Sequence, residues 1–291
     1  MVSKRDLFNQ RCKYHLIWSS ALPYDSLANT TSIIYYLALV SMSHKPMSHS
    51  LSLSVVLPAY NEAENIDRVI ANAVDYLSDR QICYEIIVVN DGSTDATKAI
   101  VTALAAKNSQ IRLINHPHNL GYGSALRTGF DQSVHEYIFL TDGDGQFDIS
   151  DLDQFLPYIY NSQGQILSKI VIGYRAKRAD VFVRSLNAWL YHQFIQLVLG
   201  IRAKDIDCAF KLFPRSIYKS IKPIKSDGAL FSAEFLLKLQ HLPIIELPVQ
   251  HFPRKFGTAT GANIKVILKM FWECWQLKKE CHIQDSKPQI V

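Results

Sequence analysis

The sequence predicts an α/β fold with a mostly parallel sheet and helices on both of its faces. From residue 51 onward, short runs of β-branched and aliphatic residues alternate with segments whose apolar residues recur three and four positions apart. The apolar runs are nearly continuous, as in strands that are covered on both faces. Strands that alternate with helices pair in parallel, because each helix carries the chain back to the same end of the sheet.

Each element follows from its local pattern. Strands are predicted where apolar runs end at turn-forming residues, at 53–57, 84–89, 111–114, 137–140, 170–172 and 244–248. Helices are predicted where apolar residues keep helical spacing, at 62–77, 95–106, 121–130, 151–160, 186–198, 229–239 and 262–279. Ser93, Thr94 or Asp95 can cap the second of these helices, and Pro248 limits the last strand.

The chain before residue 51 has a different character. Residues 1–50 are rich in Ser and Tyr, lack a sustained period and contain Met42 and Met47. They are predicted to form a poorly ordered extension; a translation start at Met47 and an arm packed on the domain surface are the alternatives. One domain is then expected at 51–291, with a first half at 51–150, a second half at 151–260 and an amphipathic C-terminal helix at 262–279.

The composition narrows the class of protein. The 291 residues are 48% hydrophobic and 20% charged, as in ordinary globular proteins. A net charge of +5 is too small to indicate nucleic acid as a partner, but it fits an anionic substrate or an anionic membrane surface. The five cysteines include no Cys-x-x-Cys pair, which argues against a disulfide framework or zinc and favours the cytoplasm.

Three acidic segments directly follow predicted strands. They are 58–62 (Pro-Ala-Tyr-Asn-Glu), 90–95 (Asn-Asp-Gly-Ser-Thr-Asp) and 141–146 (Thr-Asp-Gly-Asp-Gly-Gln). Because parallel strands end at one edge of the sheet, the three segments are expected to lie together, where sheets of this type bind ligands. Carboxylates gathered at one place are costly to ionise unless a cation or polar groups accompany them.

The pair Asp142 and Asp144 has the spacing of a divalent-metal site. In an extended chain, residues two apart point to the same side, so that both carboxylates can bind Mg²⁺ or Mn²⁺ together with diphosphate oxygens. Gly143 and Gly145 are expected to leave space for the ligand. The alternative is a solvated turn, since Asp-Gly pairs often form turns. A calcium loop is excluded, because Phe147 stands where that loop requires glycine.

Two further acidic residues are candidates for the nucleoside. Asp91 can accept hydrogen bonds from the ring N–H groups of a base, and Glu62 can bind the ribose or the base. The alternative for both is helix capping and turn formation. The segment 121–129 lacks the Gly-Lys-Ser/Thr of a phosphate loop and the third glycine of a dinucleotide fingerprint. It is interpreted as a helix N-terminus that either lines the pocket or serves packing alone.

These motifs, together with Asn-Leu-Gly-Tyr-Gly at 119–123, resemble in their order those of family 2 glycosyltransferases of the GT-A fold. The resemblance covers residues 52–275 and is strongest to the dolichyl- or polyprenyl-phosphate mannose and glucose synthases. It implies an inverting transfer of a hexose from a nucleotide sugar, GDP-mannose or UDP-glucose, to a polyprenyl phosphate. It also implies that the first half of the domain binds the donor and the second half the acceptor.

The resemblance further implies a set of site residues. A metal ion, Mg²⁺ or Mn²⁺, is expected at Asp142, Asp144 and Gln146. The donor is expected to contact residues that follow strands of the first half: Pro58, Tyr60, Glu62, Val89, Asp91, Asp142, Gly143 and Gln146. The catalytic groups implied are Asp144, Arg184 and Asp207. Arg254 and Lys255 lie in a segment similar to the family's mobile acceptor loop.

The acceptor distinguishes the competing hypotheses. A phosphate acceptor is already ionised, so that it needs positioning cations and no strong base. Candidate cations are Arg175, Arg178, Arg184, Arg254 and Lys255, although each could be a solvated surface charge. With a soluble hydroxyl acceptor, such as a polysaccharide or a protein glycan, Asp207 would be the candidate base.

Two other classes are less well supported by the sequence. The Gln-x-x-Arg-Trp motif of processive cellulose- and chitin-type members is missing. A nucleotidyltransferase would need a basic triphosphate loop after the first strand, which 58–62 does not supply, and a non-catalytic nucleotide-sugar binder is the last alternative.

Contact with a membrane is expected to be peripheral, at the cytoplasmic face, because the appended transmembrane helices of many relatives are not found. The predicted C-terminal helix has an apolar stripe flanked by lysines: Ile264, Leu268, Phe271 and Trp275, with Lys265, Lys269, Lys278 and Lys279. A basic helix that contains Trp can lie in the headgroup region of a bilayer. Alternatively, the stripe packs in the core.

Overall fold

The computed structural model describes residues 51–176, 193–228, 230–254, 274 and 277–278. Across this part of the chain seven strands form one sheet: β1 (Ser52–Ala59), β2 (Cys83–Asn90), β3 (Ile111–Asn115), β4 (Tyr137–Leu140), β5 (Ile170–Arg175), β6 (Lys211–Pro214) and β7 (Ile244–Val249). Their order is β3-β2-β1-β4-β6-β5-β7. β1 pairs in parallel with β2 and β4, β2 with β3, and β5 with β7, which confirms a mostly parallel sheet.

The helices largely follow the sequence pattern. They are α1 (Ile66–Asp79), α2 (Thr97–Lys107), α3 (Tyr122–Gln132), α4 (Arg215–Ser220) and α5 (Phe231–Leu239), and residues 193–199 are also helical. The helix predicted at 151–160 was wrong, because this segment forms two 3-10 turns, Ile149–Gln154 and Leu156–Ile159. Pro157 is the second residue of the second turn and has no N–H with which to continue a single α-helix.

Apolar clusters cover both faces of the sheet, as predicted. Neighbouring residues of a strand point to opposite faces. Val55 therefore joins a cluster with Ile70 of α1, whereas Val56 joins a second cluster with Leu126 of α3 and Phe235 of α5. Full burial of such an aliphatic side chain contributes about 1.5–3 kcal/mol, so that both layers hold the strands in register.

The carboxyl ends of β1, β2 and β4 meet at one edge of the sheet. Ala59 is paired with Asn90, and the backbone N–H of Asp91 donates to the Ala59 carbonyl at 2.9 Å. The backbone N–H of Thr141 donates to the carbonyl of Val56 at 3.3 Å. The three acidic segments therefore leave adjacent strands at the same edge, which confirms the predicted convergence.

The sequence analysis missed β6, which runs antiparallel between β4 and β5. Its four residues begin with Lys211 and end with Pro214, so that neither its length nor its composition indicated a strand. Because Lys211 pairs with Leu140, the residues that precede β6 emerge at the edge where β4 ends. The turn at 205–208 is thereby brought to the acidic segments.

Several predictions concern residues outside the described ranges, namely the extension at 1–50, Arg178, Arg184 and Lys255. Of the predicted C-terminal helix, Cys274, Leu277 and Lys278 are described, and all three are helical. Cys274 and Leu277 are buried in the second apolar cluster. Within the described part of the chain, no helix combines the length and apolarity required to cross a bilayer.

Candidate active site

Polar side chains bond the loops after β1 and β2 to one another. The Oγ of Ser93 accepts from the backbone N–H of Asn61 at 2.9 Å, and the Asn61 Oδ1 accepts from the N–H of Thr94 at 2.8 Å. The Oδ1 of Asp95 accepts from the N–H of Thr97 at 2.9 Å, at the start of α2. These residues therefore have the turn-forming and capping roles that their types predicted.

Glu62 is buried and paired with a cation from the far end of the domain. Its Oε2 accepts from Asn65 Nδ2 at 2.9 Å, and its Oε1 forms an ion pair with Arg254. Burial raises the pKa of Glu62, against the effects of Asn65 and Arg254. The Nη1 of Arg254 also lies 3.9 Å from Oδ2 of Asp144. The structure thus brings three predicted site residues together: Glu62, Asp144 and Arg254.

Asp142 is held by a tyrosine that the sequence analysis did not select. Tyr122, the first residue of α3, donates its hydroxyl to Oδ1 of Asp142 at 3.0 Å. The preceding Gly121 has φ +99°, a conformation that favours glycine and sets the entry to the helix. Burial raises the pKa of Asp142 to about 7, and the charge of Asp144 acts in the same direction. Burial and Asp142 also raise the pKa of Tyr122, so that its hydroxyl stays protonated.

Asp144 lies in a turn rather than in the extended chain that its spacing predicted. Its Oδ1 accepts from the backbone N–H of Gln146 at 3.0 Å, a local bond typical of Asp in turns. Gly143 was predicted to be a glycine because a ligand needs the space, but the protein itself occupies that space. A Cβ at Gly143 would lie 3.1 Å from both the Pro58 carbonyl and Cδ1 of Ile66, so that glycine serves close packing on β1.

Gln146 connects the acidic turn to the segment after β7. Its side-chain Nε2 donates to the backbone carbonyl of Phe252 at 3.0 Å. The backbone carbonyl of Gln146 in turn accepts from the backbone N–H of Phe252 at 2.8 Å. The N–H of Gln250 donates to Oδ2 of Asp151 at 2.6 Å. Only Oε1 of Gln146 is therefore left to act as a metal ligand. The same bonds hold the segment that carries Arg254 beside the turn.

Asp91 is 3% exposed and holds the loop that precedes α3. Its Oδ1 accepts from His116 Nδ1 at 2.7 Å and from the N–H of Leu120 at 2.9 Å, and its Oδ2 accepts from the N–H of Gly121 at 2.9 Å. The Nε2 of His116 lies 3.0 Å from Oγ1 of Thr128. Asp91 thus stabilises a turn, which was the alternative to base binding in the sequence analysis. Its role toward a base stays a prediction.

A buried ion pair joins the end of β5 to the segment that precedes β6. The Nε of Arg175 donates to Oδ2 of Asp205 at 2.7 Å, and its Nη2 donates to Oδ1 at 2.8 Å. Burial lowers the pKa of Arg175, but the hydrogen bond and charge of Asp205 raise it by more. Arg175 was a predicted cation for the acceptor phosphate. Two of its donors fix the segment before β6, and its role toward a phosphate stays a prediction.

A buried lysine donates hydrogen bonds to the turn that precedes β6. Lys211 is 2% exposed, and its Nζ donates to the carbonyls of Ile206, at 3.1 Å, and Cys208. Burial lowers the pKa of Lys211, against the effect of nearby negative groups. Asp207 lies in this turn, close enough to Tyr122 for its charge to raise the pKa of the phenol. The predicted catalytic Asp207 is therefore on the same side of the sheet as Asp142.

Two predicted donor contacts are buried in the sheet, and their role toward a donor stays a prediction. Pro58 and Val89 are paired across β1 and β2, and both are buried. Val89 has no exposed surface, and its Cγ2 would lie 3.3 Å from a Cβ at Gly129, so that it packs against α3. Tyr60, by contrast, is 37% exposed and can contact a ligand. Arg184 and Lys255 lie outside the described residues.

The acidic turn fits a divalent cation. Carboxylate and amide oxygens are ligands that Mg²⁺ and Mn²⁺ accept, and Asp142, Asp144 and Oε1 of Gln146 provide them. Burial, and after it the charge of Asp144, raise the pKa of Asp142, so that a cation would favour the ionised form of this carboxylate. Among the described residues, no group of three or more His, Cys, Asp or Glu side chains could hold a metal ion by itself. Oxygens of a bound diphosphate would have to complete the coordination.

Four residues of the site were not selected from the sequence, namely His116, Tyr122, Asp205 and Lys211. His116 directly follows β3, and Tyr122 lies inside the Asn-Leu-Gly-Tyr-Gly motif. Their position after a predicted parallel strand was a usable signal, because such residues reach the same edge as Asp91. Asp205 and Lys211 could not be found in this way, because β6 itself was missed.

The fold matches that of a solved glycosyltransferase structure. Glucosyl-3-phosphoglycerate synthase from Mycobacterium tuberculosis, crystallised with Mn²⁺, uridine diphosphate and glucosyl-3-phosphoglycerate, superimposes with a TM-score of 0.52. The match covers 78% of each chain at 20% sequence identity, a level that establishes the fold alone. The predicted GT-A fold is therefore confirmed.

Sequence comparison then gives the family. Residues 54–222 match the model of glycosyl transferase family 2. A dolichyl-phosphate beta-glucosyltransferase of Trichomonas vaginalis is 34% identical over 209 residues, which cover 67% of this chain and 62% of the relative. A second, from Dictyostelium discoideum, is 31% identical over 217 residues, which cover 69% and 66%.

The chain belongs to glycosyl transferase family 2, which confirms the predicted family and the predicted class of enzyme, a glycosyltransferase. The chain spans less than two thirds of the length of either of these two relatives.

Proposed function

We propose that the protein transfers a glucosyl group from a nucleotide sugar to a dolichyl or other polyprenyl phosphate. The names of the two relatives support both the sugar and the lipid acceptor. The observation that carries the proposal is the 3.9 Å approach of Arg254 to Asp144. Carboxylates for a metal-bound diphosphate and a cation for a second phosphate lie side by side at one edge of the sheet.

On the donor side, Asp142, Asp144 and Oε1 of Gln146 would hold Mg²⁺ or Mn²⁺, which would offset the charge that develops on the departing diphosphate. The chain's own residues prepare this side of the site. Tyr122 fixes one oxygen of Asp142 through its hydroxyl, and the Gln146 N–H fixes one oxygen of Asp144. Both carboxylates therefore keep a defined orientation before the donor binds, which reduces the cost of ordering them.

The acceptor side needs cations rather than a base. An oxygen of the lipid phosphate attacks the anomeric carbon as the bond from that carbon to the diphosphate oxygen breaks, and the configuration inverts. The attacking oxygen is already ionised, so that no side chain has to remove a proton. Arg254 can position it through charge-assisted hydrogen bonds. Asp207, near Tyr122, would act as the base only if the acceptor were a hydroxyl group.

The proposed acceptor lies in a bilayer, which places the reaction at a membrane surface. We infer that the protein contacts the membrane from the cytoplasmic face. The lysines and tryptophans of the sequence at 262–279 support this part of the proposal. Flotation of the purified protein with vesicles of anionic lipid tests it, and failure to float at low salt would contradict it.

The assay uses the full chain with UDP-glucose and GDP-mannose, each labelled in the sugar, with and without dolichyl phosphate. We expect label in the organic extract only when UDP-glucose, Mg²⁺ or Mn²⁺, and dolichyl phosphate are all present. Excess EDTA should stop transfer, and added Mn²⁺ should restore it. Label that enters polysaccharide or protein in the absence of lipid would overturn the proposal in favour of a hydroxyl acceptor.

A further inference from the structure

We propose that His116 is a positioning residue that leaves Asp91 a single free hydrogen-bond acceptor and so selects uracil over guanine in the donor. The inference rests on the proposed function, because Asp91 is taken to receive the base of the nucleotide sugar. The residue that would determine the choice of base, His116, contacts Asp91 and not the base itself.

His116 is fixed in the sheet edge by its backbone and by both ring nitrogens. Its N–H donates to the Asn90 carbonyl at 2.9 Å, which extends the pairing of β2 with β3 by one residue. Its ring is 8% exposed and lies between Oδ1 of Asp91, at 2.7 Å, and Oγ1 of Thr128, at 3.0 Å. Because an ionised carboxylate can only accept, Nδ1 is the nitrogen that donates.

The acceptor capacity of Asp91 is nearly used up by the protein. A carboxylate offers about four acceptor positions, two on each oxygen. Oδ1 accepts from His116 and from the backbone N–H of Leu120, and Oδ2 accepts from the backbone N–H of Gly121. Counting the donors that the described residues provide, one acceptor position is left, on Oδ2.

The carboxylate also has little freedom to turn. Gly92, the next residue, has φ +70°, and a Cβ at this position would collide with the backbone of His118 and Asn119. The turn after β2 is therefore packed directly against the loop at 116–121. The three donors that hold Asp91 come from this same loop, so that rotation of the carboxylate would break two or three bonds at once.

A single acceptor distinguishes the bases by their hydrogen-bonding edges. Uracil presents one N–H between two carbonyls, which one carboxylate oxygen can satisfy. Guanine presents two adjacent donors, N1–H and the N2 amino group, which match two oxygens of a carboxylate. At Asp91 one guanine donor would be buried without a partner, which is costly. Cytosine has no proton on N3 and would place an acceptor against the carboxylate.

The test measures dissociation constants of UDP, GDP and CDP in the presence of Mn²⁺, by calorimetry on the full chain. We expect the wild type to bind UDP at least about tenfold more tightly than GDP or CDP, since a charged hydrogen bond contributes at least this much. In His116→Leu, Oδ1 loses a donor and becomes available. GDP should then bind more tightly, because its second donor finds a partner, so that the UDP-to-GDP preference should fall below about threefold while the affinity for UDP changes little.

A matched pair of variants separates positioning from simple packing. In His116→Asn the amide nitrogen stands near the former Nδ1 and can still donate to Asp91, so that the preference for UDP should be kept. In His116→Gln the amide reaches toward Thr128 instead, and the preference should be lost. Binding of inorganic diphosphate with Mn²⁺, which involves no base, should be the same in all variants that fold.

Equal UDP-to-GDP preference in the wild type and in both the Leu and Gln variants would overturn the inference, as would tighter binding of GDP by the wild type. Neither result touches the proposed transfer to a lipid phosphate, which is measured separately. A wild type that prefers GDP but glycosylates dolichyl phosphate would refute the role of His116 alone. A wild type that prefers UDP but does not glycosylate the lipid would refute the proposed acceptor alone.

Discussion

Arg254 forms an ion pair with Glu62, although 192 positions separate the two residues in the sequence. Glu62 follows β1, the first of the described strands in the sequence, and Arg254 follows β7, the last of them. The same guanidinium lies 3.9 Å from Asp144. One side chain therefore connects both ends of the domain with the acidic turn, and a phosphate that reaches this turn has to meet it.

Replacement of Arg254 should cost both stability and activity. In Arg254→Gln the buried carboxylate of Glu62 loses its cationic partner, which should lower the free energy of unfolding by about 1–3 kcal/mol. Urea denaturation measures this change. The double variant Glu62→Gln/Arg254→Gln should recover part of the stability but none of the lipid glucosylation, because the cation is still missing. Full activity in either variant would contradict the role of Arg254 toward a phosphate.

Loss of Asp144 should abolish transfer without unfolding the protein. Asp144 lies in a turn at the sheet edge and makes one local bond to the backbone of Gln146, so that Asp144→Ala removes a proposed metal ligand and little of the packing. Thermal unfolding should change little, while label in the lipid extract should fall to background. Asp148→Asn, at an exposed position four residues further on, is the matched control. Normal turnover of Asp144→Ala would remove the metal assignment.

The hydroxyl of Tyr122 should act on metal affinity. Tyr122→Phe keeps the ring and removes the donor to Asp142, which is a partner of a proposed metal ligand. Loss of such a partner typically weakens metal binding by about 10- to 100-fold. Titration of Mn²⁺ in the presence of UDP measures the change directly. Tyr158→Phe, at an exposed tyrosine, should leave the affinity unchanged, and an unchanged affinity in Tyr122→Phe would show that its hydroxyl only fills space.

The pair Arg175–Asp205 should be a structural contact and not a phosphate site. Removal of one partner from a buried ion pair costs about 3–5 kcal/mol, so that Arg175→Met should strongly destabilise the protein. Arg175→Met/Asp205→Leu should be more stable than the single variant, because no buried charge is left alone. If Arg175→Met folded normally but bound the lipid phosphate poorly, the expectation of a purely structural contact would be wrong, and Arg175 would bind the acceptor phosphate.

The sequence was sufficient for the parts of the fold that depend on regular, local patterns. β1, β2 and β4 are nearly continuous apolar runs, and each is followed by an acidic segment. Parallel pairing then brings these segments to one edge without further information. The meeting of Glu62, Asp142 and Asp144 in space could therefore be predicted before any coordinates were available.

The rest depended on contacts that local patterns do not encode. β6 is four residues long and starts with a lysine, and only its place between β4 and β5 makes it a strand. The backbone at Asp144 forms a turn because the Asp144 side chain accepts a hydrogen bond from the backbone N–H of Gln146. This local bond competes with the extended conformation. The Tyr122–Asp142 and Arg254–Glu62 contacts join elements that are distant in sequence, and residue type alone does not show which pairs will meet.

The position of β6 has a consequence for the order in which the domain can be built on the ribosome. Strands β1 to β4 can pair with one another once residue 140 has left the ribosome. Among the described strands, β5 pairs with β6 and β7 alone, and both are made later, so that it must wait for at least residue 214 before it can join the sheet. A nascent chain halted between these points would expose an unpaired apolar strand, and this interval is where we expect chaperones to engage it.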